Sequence, residues 1–285
     1  MTKNSFDYLV AGASHAALAA LEAIRMHDSA GSIAVLARET NPHLPYSPTV
    51  LPYVVSGRTA ADNVALRPAD YFARHKIDLR KGCALTRIDA AAKRVHLADG
   101  ETLGYGKLLL ATGAAPIVPP IAGIGDVKFH VLRTLDDATR LRQALRQTKA
   151  AVVLGAGLIG MHAAENLAKT GSAVTVVEMQ AQVLPGYFDR DAAQIIASVF
   201  TAQGVRLRLG SKVVNIGAEG SGCLLTLDDG STLRTDLLLV ATGVAAQMDY
   251  LDGSGVDTGR GILVDDKMCT SVADIYAAGD VAQAR

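Results

Sequence analysis

Residues Gly155-Ala156-Gly157-Leu158-Ile159-Gly160 form a complete G-x-G-x-x-G motif. Glu178 follows at the interval kept by a ribose-binding carboxylate. The chemistry these residues can do together is to hold a dinucleotide. Gly155 permits a tight strand-to-helix turn, Gly157 lets the backbone approach a pyrophosphate, and Gly160 lets helix and strand pack closely. Leu158 and Ile159 complete the loop where the helix begins, and the positive end of the helix dipole faces the phosphates. Glu178 can accept hydrogen bonds from both ribose hydroxyls and repels a 2′-phosphate. The following Met179-Gln180 supply no arginine, which favours NADH over NADPH.

A second, degenerate motif lies at Gly12-Ala13-Ser14-His15-Ala16-Ala17. Ser14 takes the place of the middle glycine and Ala17 that of the last. Both are small enough to keep the turn, and Ser14 crowds a diphosphate slightly. Glu39 is the matching ribose carboxylate. His15 on this loop can touch a diphosphate or face solvent.

The elements that must position these residues repeat as well. FDYLVAGASHAALAALEAIR reads as a buried strand, a turn and a helix with Ala17, Leu18, Leu21 and Ile24 inward, and SIAVLARE (32–39) follows as a second strand. The grammar returns as AAVVLGAGLIGMHAAENLAKTG and then SAVTVVE (172–178), with Gly171 at the helix end. Each half continues into alternating strands around an Asp-Gly turn, Asp99-Gly100 and Asp229-Gly230, as in a small β-meander. Each closes on a buried strand ending in Ala-Thr-Gly: Ala111-Thr112-Gly113 and Ala241-Thr242-Gly243. This is the internal duplication of a whole domain.

Two stretches break the symmetry. NPHLPYSPTVLPYVVSG (41–57) carries four prolines and reads as irregular, and AAPIVPPIAGIG (114–125) reads as an interdomain linker. VLRTLDDATRLRQALRQ follows as an amphipathic helix with Leu135, Leu141 and Leu145 inward, its arginines forming a solvated face. The charges balance at 28 acidic and 28 basic residues, and Trp is absent, so nothing points to nucleic acid. Cys83, Cys223 and Cys269 are scattered, which excludes a disulfide framework and a metal site built on cysteine, and reads as buried, reduced thiols in a cytoplasmic setting. Asp7 and His15 interrupt the N-terminal apolar stretch, which reads as folded structure, and no run approaches the roughly 18 apolar residues of a membrane span.

Tandem dinucleotide motifs, paired ATG segments and the terminal TSVADIYAAGD (270–280) resemble the FAD- and NAD-dependent pyridine nucleotide–disulfide oxidoreductase superfamily. The resemblance covers essentially the whole chain. It implies an α/β protein with two tandem Rossmann-like domains carrying β-meanders, the second inserted in the first. Residues 1–115 with 245–285 would bind FAD and residues 116–244 NADH. The ATG segments would lie near the nucleotides, and Asp280 would meet the flavin ribityl chain. Relatives commonly place a glutamate where His162 stands, near the nicotinamide. Here His162 can contact the carboxamide or be a partnered histidine near a helix start. Arg133-Thr134 resembles a structural pair at the domain junction. Relatives continue for about a hundred further residues, the size of a further domain. The chain would lack that C-terminal interface domain, weakening oligomerisation.

Departures from the family pattern narrow the function. Its disulfide reductases carry a redox cysteine pair, and its coenzyme A-disulfide reductases and NADH oxidases carry a cysteine before L-P-Y. Here Thr49 stands at that position, so thiol relay chemistry is disfavoured. The segment also resembles ferredoxin, rubredoxin and assimilatory nitrite reductases, although Pro48 and Tyr53 replace basic residues frequent in ferredoxin reductases. The NADH-dehydrogenase subunits of multi-subunit 2-oxoacid dehydrogenases are similar too. The expected activity is hydride transfer from NADH to FAD, with electrons leaving to a ferredoxin, a rubredoxin or an iron–sulfur subunit. The alternatives are a non-catalytic scaffold or redox sensor that binds both nucleotides, and an NADH oxidase.

Overall fold

A computed structural model describes residues 4–284. The chain runs through β1 (Ser5–Ala11), α1 (His15–His27), β2 (Ile33–Ala37), α2 (Leu51–Ser56), α3 (Tyr71–Arg74), β3 (Ile77–Lys81), β4 (Leu85–Asp89), β5 (Arg94–Leu97) and β6 (Thr102–Leu110). After β7 (Ala114–Pro116) come α4 (Leu135–Leu145), β8 (Ala150–Leu154), α5 (Leu158–Ala168), β9 (Ala173–Glu178), α6 (Arg190–Ala202), β10 (Arg206–Leu209), β11 (Val213–Glu219), β12 (Gly222–Leu227), β13 (Thr232–Thr235) and β14 (Leu237–Val240). Four short strands follow: β15 (Val244–Ala246), β16 (Ile262–Val264), β17 (Ile275–Ala277) and β18 (Ala282–Ala284).

Two compact units result, one of residues 1–47, 64–115 and 245–285, the other of residues 48–63 and 116–244. In the first unit the parallel strands lie in the order β3-β2-β1-β6, with β17 added on β6. In the second the order is β10-β9-β8-β14. Both sheets therefore place their third, second, first and fourth parallel strands side by side. The central strands read as continuous apolar runs because residues on both faces are covered, as in β2, where all of Ile33–Ala37 is buried. Helix α1 buries Ala17, Leu18 and Leu21, and α5 buries Met161, Ala163, Ala164 and Leu167.

The turns of the two meanders match. Gly100 N–H donates to Leu97 O at 3.0 Å and Gly230 N–H to Leu227 O at 3.0 Å, while the aspartate of each turn accepts from the backbone N–H two residues on. Each Asp-Gly pair thus makes the same local turn.

Several expectations need correction. Residues 41–57 are not wholly irregular: Leu51–Ser56 is helical and buries Leu51, Pro52, Val54 and Val55. Pro52 sits in the first turn, where a missing N–H breaks no helical bond. Residues 48–63 also cluster with the second unit, because α2 packs on α4 and α5. Among the cysteines only Cys223 is fully buried; Cys83 and Cys269 are half-buried. In α4, Leu135 and Leu141 are buried, whereas Leu145 lies at the helix end and is partly exposed. Residues 114–125 carry Ile121 and Ile124, which pack on the core of the second unit. Among the described residues no helix is long and apolar enough to cross a membrane.

Candidate functional site

In the second unit the strand-to-helix turn begins at Gly155, whose N–H donates to Val177 O at 2.8 Å. Its φ is +102°, and a Cβ would lie 2.4 Å from Ala241 O, the first residue of the ATG segment. A Cβ at Gly160 would lie 2.0 Å from Gly155 O. The protein itself therefore demands both outer glycines. Gly157 differs: its backbone is ordinary extended chain at φ −75°, it caps α5, and a Cβ there would meet nothing within 4 Å. The absent side chain leaves an open approach to the amides of the first helical turn, which is what a diphosphate requires. Leu158 and Ile159 beside it are 51% and 38% exposed.

Glu178, the last residue of β9, is held by this loop. One carboxylate oxygen accepts Ala156 N–H at 2.8 Å and the other Gln180 N–H at 2.8 Å. The ATG segment is fixed by Ala241 N–H donating to Leu154 O at 2.8 Å and by the Thr242 hydroxyl donating to Ile117 O at 2.8 Å. Gly243 follows at positive φ.

The first unit repeats this arrangement with altered side chains. Gly12 N–H donates to Leu36 O at 2.8 Å, its φ is +118°, and a Cβ would lie 2.0 Å from Ala111 O. Ser14 is the N-cap of α1, and its carbonyl accepts Leu18 N–H at 2.9 Å, as Gly157 O accepts Met161 N–H at 2.9 Å. Ala17, fully buried, stands where Gly160 stands in the second unit. The Thr112 hydroxyl donates to Gln247 O at 3.1 Å and shares a 2.8 Å hydrogen bond with the Tyr250 hydroxyl, whose pKa burial pushes up to about 12. Gly113 O accepts Gln247 N–H at 3.0 Å. Asp280 is exposed, and a Cβ on neighbouring Gly279 would lie 3.0 Å from the Ala16 Cβ. The chain between β17 and β18 therefore passes the start of α1, bringing together residues far apart in sequence. His15 is exposed on the same turn, and Glu39 lies two residues beyond β2.

His162 projects from α5 edge-on to the Tyr53 ring, with centroids 4.9 Å apart and planes at 75°. The Arg58 guanidinium lies over the Tyr53 ring at 4.8 Å. Burial pulls the His162 pKa below its ordinary value, with the cationic Lys169 and Arg58 adding to the effect against Glu165, so the imidazole is neutral near pH 7. Thr134 makes a reciprocal capping box with Asp137, a structural role at the start of α4.

Two tyrosines of the proline-rich segment escaped assignment from sequence. Tyr53 meets His162, and the Tyr46 hydroxyl donates to Glu39 Oε2 at 2.5 Å. The proline-bearing chain between Glu39 and Tyr46 has no regular period, so no sequence signal related the two.

Two sheets of one strand order, each with a phosphate-type loop, an acid at or just past the end of its second strand and an ATG segment against its first glycine, define a tandem dinucleotide-fold protein. The chain belongs to the pyridine nucleotide-disulphide oxidoreductase family, whose model matches residues 6–285. It is 56% identical over 278 residues to the NADH-dependent phenylglyoxylate dehydrogenase subunit epsilon of Aromatoleum evansii, covering 98% of this chain but 65% of that protein. It is 31% identical to the rubredoxin-NAD(+) reductase of Pseudomonas putida, over 97% of this chain and 72% of that one. A solved ferredoxin reductase of Rhodopseudomonas palustris superposes with a TM-score of 0.91 at 31% identity, covering 99% of this chain and 69% of its own. The chain thus spans about two thirds of the length of these relatives.

Proposed function

We propose that this chain is the nucleotide-binding part of an NADH:acceptor oxidoreductase, with FAD in the first unit and NADH in the second. The observation that carries the proposal is the duplicated loop, in which Gly157 leaves open space that nothing in the protein requires. When bound, the flavin and nicotinamide supply the hydride and electron chemistry. The chain's own part is to bind and orient. The first turns of α1 and α5 offer backbone amides to the two diphosphates, and Glu39 and Glu178 accept from the adenosine ribose hydroxyls. Asp280 meets the ribityl chain, and the ATG segments hold the loops in shape. His162, neutral and packed on Tyr53, lies on the helix that follows the second loop and contacts the nicotinamide amide. With Thr49 in place of a redox cysteine and no bridged cysteine pair, electrons leave to an external carrier, a ferredoxin, a rubredoxin or an iron–sulfur subunit. The 56% relative, itself called a subunit, supports a place within a larger dehydrogenase.

The test is anaerobic titration of the FAD-loaded protein with NADH and separately with NADPH, followed by addition of a one-electron dye or ferredoxin. Bleaching of the flavin by NADH in preference to NADPH, with turnover on addition of acceptor, is the expected result. Flavin that binds yet stays oxidised with NADH refutes the reductase. Reduced flavin that refuses every acceptor supports a scaffold instead.

A further inference from the structure

The two ribose-type carboxylates are held in place by different means. In the second unit backbone amides grip Glu178 on both oxygens. In the first, a side chain from the proline-rich segment reaches the acid: the Tyr46 hydroxyl donates to Glu39 Oε2 at 2.5 Å. Tyr46 is 4% exposed, so its ring is anchored. Its backbone pairs with Ala65 in an isolated bridge, and neighbouring Pro45 O accepts Leu66 N–H at 2.8 Å, tying the segment to residues beyond the excursion into the second unit. The carbonyl of the same tyrosine accepts the Ser14 hydroxyl at 3.4 Å, a long contact. One residue therefore touches both the acid and the serine that replaces the middle glycine.

We infer that Tyr46 is the positioning residue of the first nucleotide site, holding Glu39 in place for the adenosine ribose of FAD and drawing the Ser14 hydroxyl aside from the diphosphate path. The inference rests on the assignment of FAD to the first unit. A phenol donating to a carboxylate makes a short, charge-assisted bond that restricts a flexible side chain, and restriction before binding lowers the entropy lost when ligand arrives. A carboxylate can accept about four hydrogen bonds, so a phenol that sets its orientation does not by itself consume the acceptor a vicinal diol uses. The arrangement also accounts for Ser14 at a loop position where a side chain otherwise crowds the diphosphate. The second unit has no need of such a residue, since Gly157 carries no side chain and Glu178 is fixed by the main chain.

The experiment uses the full chain stripped of flavin, titrated with FAD and separately with FMN, which lacks the adenosine ribose. Wild type is compared with Tyr46→Phe, Glu39→Gln and the double variant. Tyr46→Phe keeps the buried ring and removes one oxygen, and thermal melting of the flavin-free protein checks that the fold is intact. The expected result is FAD affinity weaker by about tenfold in Tyr46→Phe, the scale of one charged hydrogen bond. FMN affinity is unchanged, and the double variant is no weaker than Glu39→Gln alone. Equal FAD affinity in wild type and Tyr46→Phe overturns the inference and leaves the FAD assignment standing. Parallel weakening of FAD and FMN, or a full further loss on top of Glu39→Gln, overturns it by showing a merely structural residue. Failure of wild type itself to bind FAD removes the assignment and this inference with it.

Discussion

At residues 12–17 and 155–160 the same turn is built from different side chains, and the differences separate two kinds of glycine. Gly12 and Gly155 are retained in both copies because the carbonyl of Ala111 or Ala241 fills the space a Cβ needs and because φ is positive at each. The middle position is extended backbone in both copies, so the turn itself does not require glycine there: glycine stands at 157, and serine at 14, where its hydroxyl reaches Tyr46 O. The last position shows a third case. Gly160 is pressed against Gly155 O, whereas Ala17 is accommodated at the start of α1. What looks like a single degenerate motif is therefore a set of separate positions, some fixed by the protein's own atoms and one that is not.

The sharpest way to break this distinction is to place one methyl group at each position. Gly155→Ala should destabilise the protein by about 3 kcal/mol or more, through steric overlap and left-handed strain together. Gly12→Ala should do likewise in the first unit. Gly157→Ala should leave the urea midpoint within about 0.5 kcal/mol of wild type while weakening NADH binding by about tenfold. Urea melts paired with NADH titrations decide it; equal stability losses at 155 and 157 would erase the difference between them.

The acids provide the next contrast. Glu178→Gln removes the charge that repels a 2′-phosphate and weakens the grip of Ala156 N–H and Gln180 N–H. The ratio of kcat/KM for NADH over NADPH should fall by about tenfold, the worth of one charged contact. An unchanged ratio would move coenzyme choice elsewhere in the second unit.

A subtler difference lies where the meander joins the parallel sheet. In the first unit β6 runs unbroken past Gly106, where a Cβ would lie 2.7 Å from Asp7 O. In the second unit the strand breaks between β13 and β14 at Asp236, whose carboxylate accepts Lys149 N–H at 2.8 Å and Ala150 N–H at 2.9 Å. Asp236→Ala should cost about 1 kcal/mol, at the low end for such a cap because the carboxylate is exposed, and should speed amide exchange at residues 149 and 150. The smallest effect expected is at His162. Its lowered pKa means the folded state favours the neutral ring, a contribution fully present above the ordinary histidine pKa of about 6.5 and lost as pH falls below it. His162→Gln should therefore flatten the decline in melting temperature between pH 7 and 5, and an unchanged slope would count against a buried neutral imidazole.

Much of this organisation was legible because it is local. The strand–glycine–helix passages at 12 and 155, the Asp-Gly turns at 100 and 230 and the apolar runs ending in ATG are set by backbone chemistry within a few residues. Residues 41–57 were harder to read: four prolines suggested irregular chain, yet Pro52 fits the first turn of α2, and the apolar face of that helix finds α4 and α5, far along the sequence. Tyr46 was hidden for the same reason. A tyrosine between prolines announces nothing until the fold brings its hydroxyl to Glu39.

The sequence by itself determined the duplication, the two loops and the acids at the ends of their second strands, because glycine geometry and hydrophobic period are short-range properties. Only the tertiary structure decided which glycines serve the protein and which leave room for a ligand. The atoms that settle the matter, Ala111 O beside Gly12, Ala241 O beside Gly155 and open space beside Gly157, lie about a hundred residues away or belong to no residue at all.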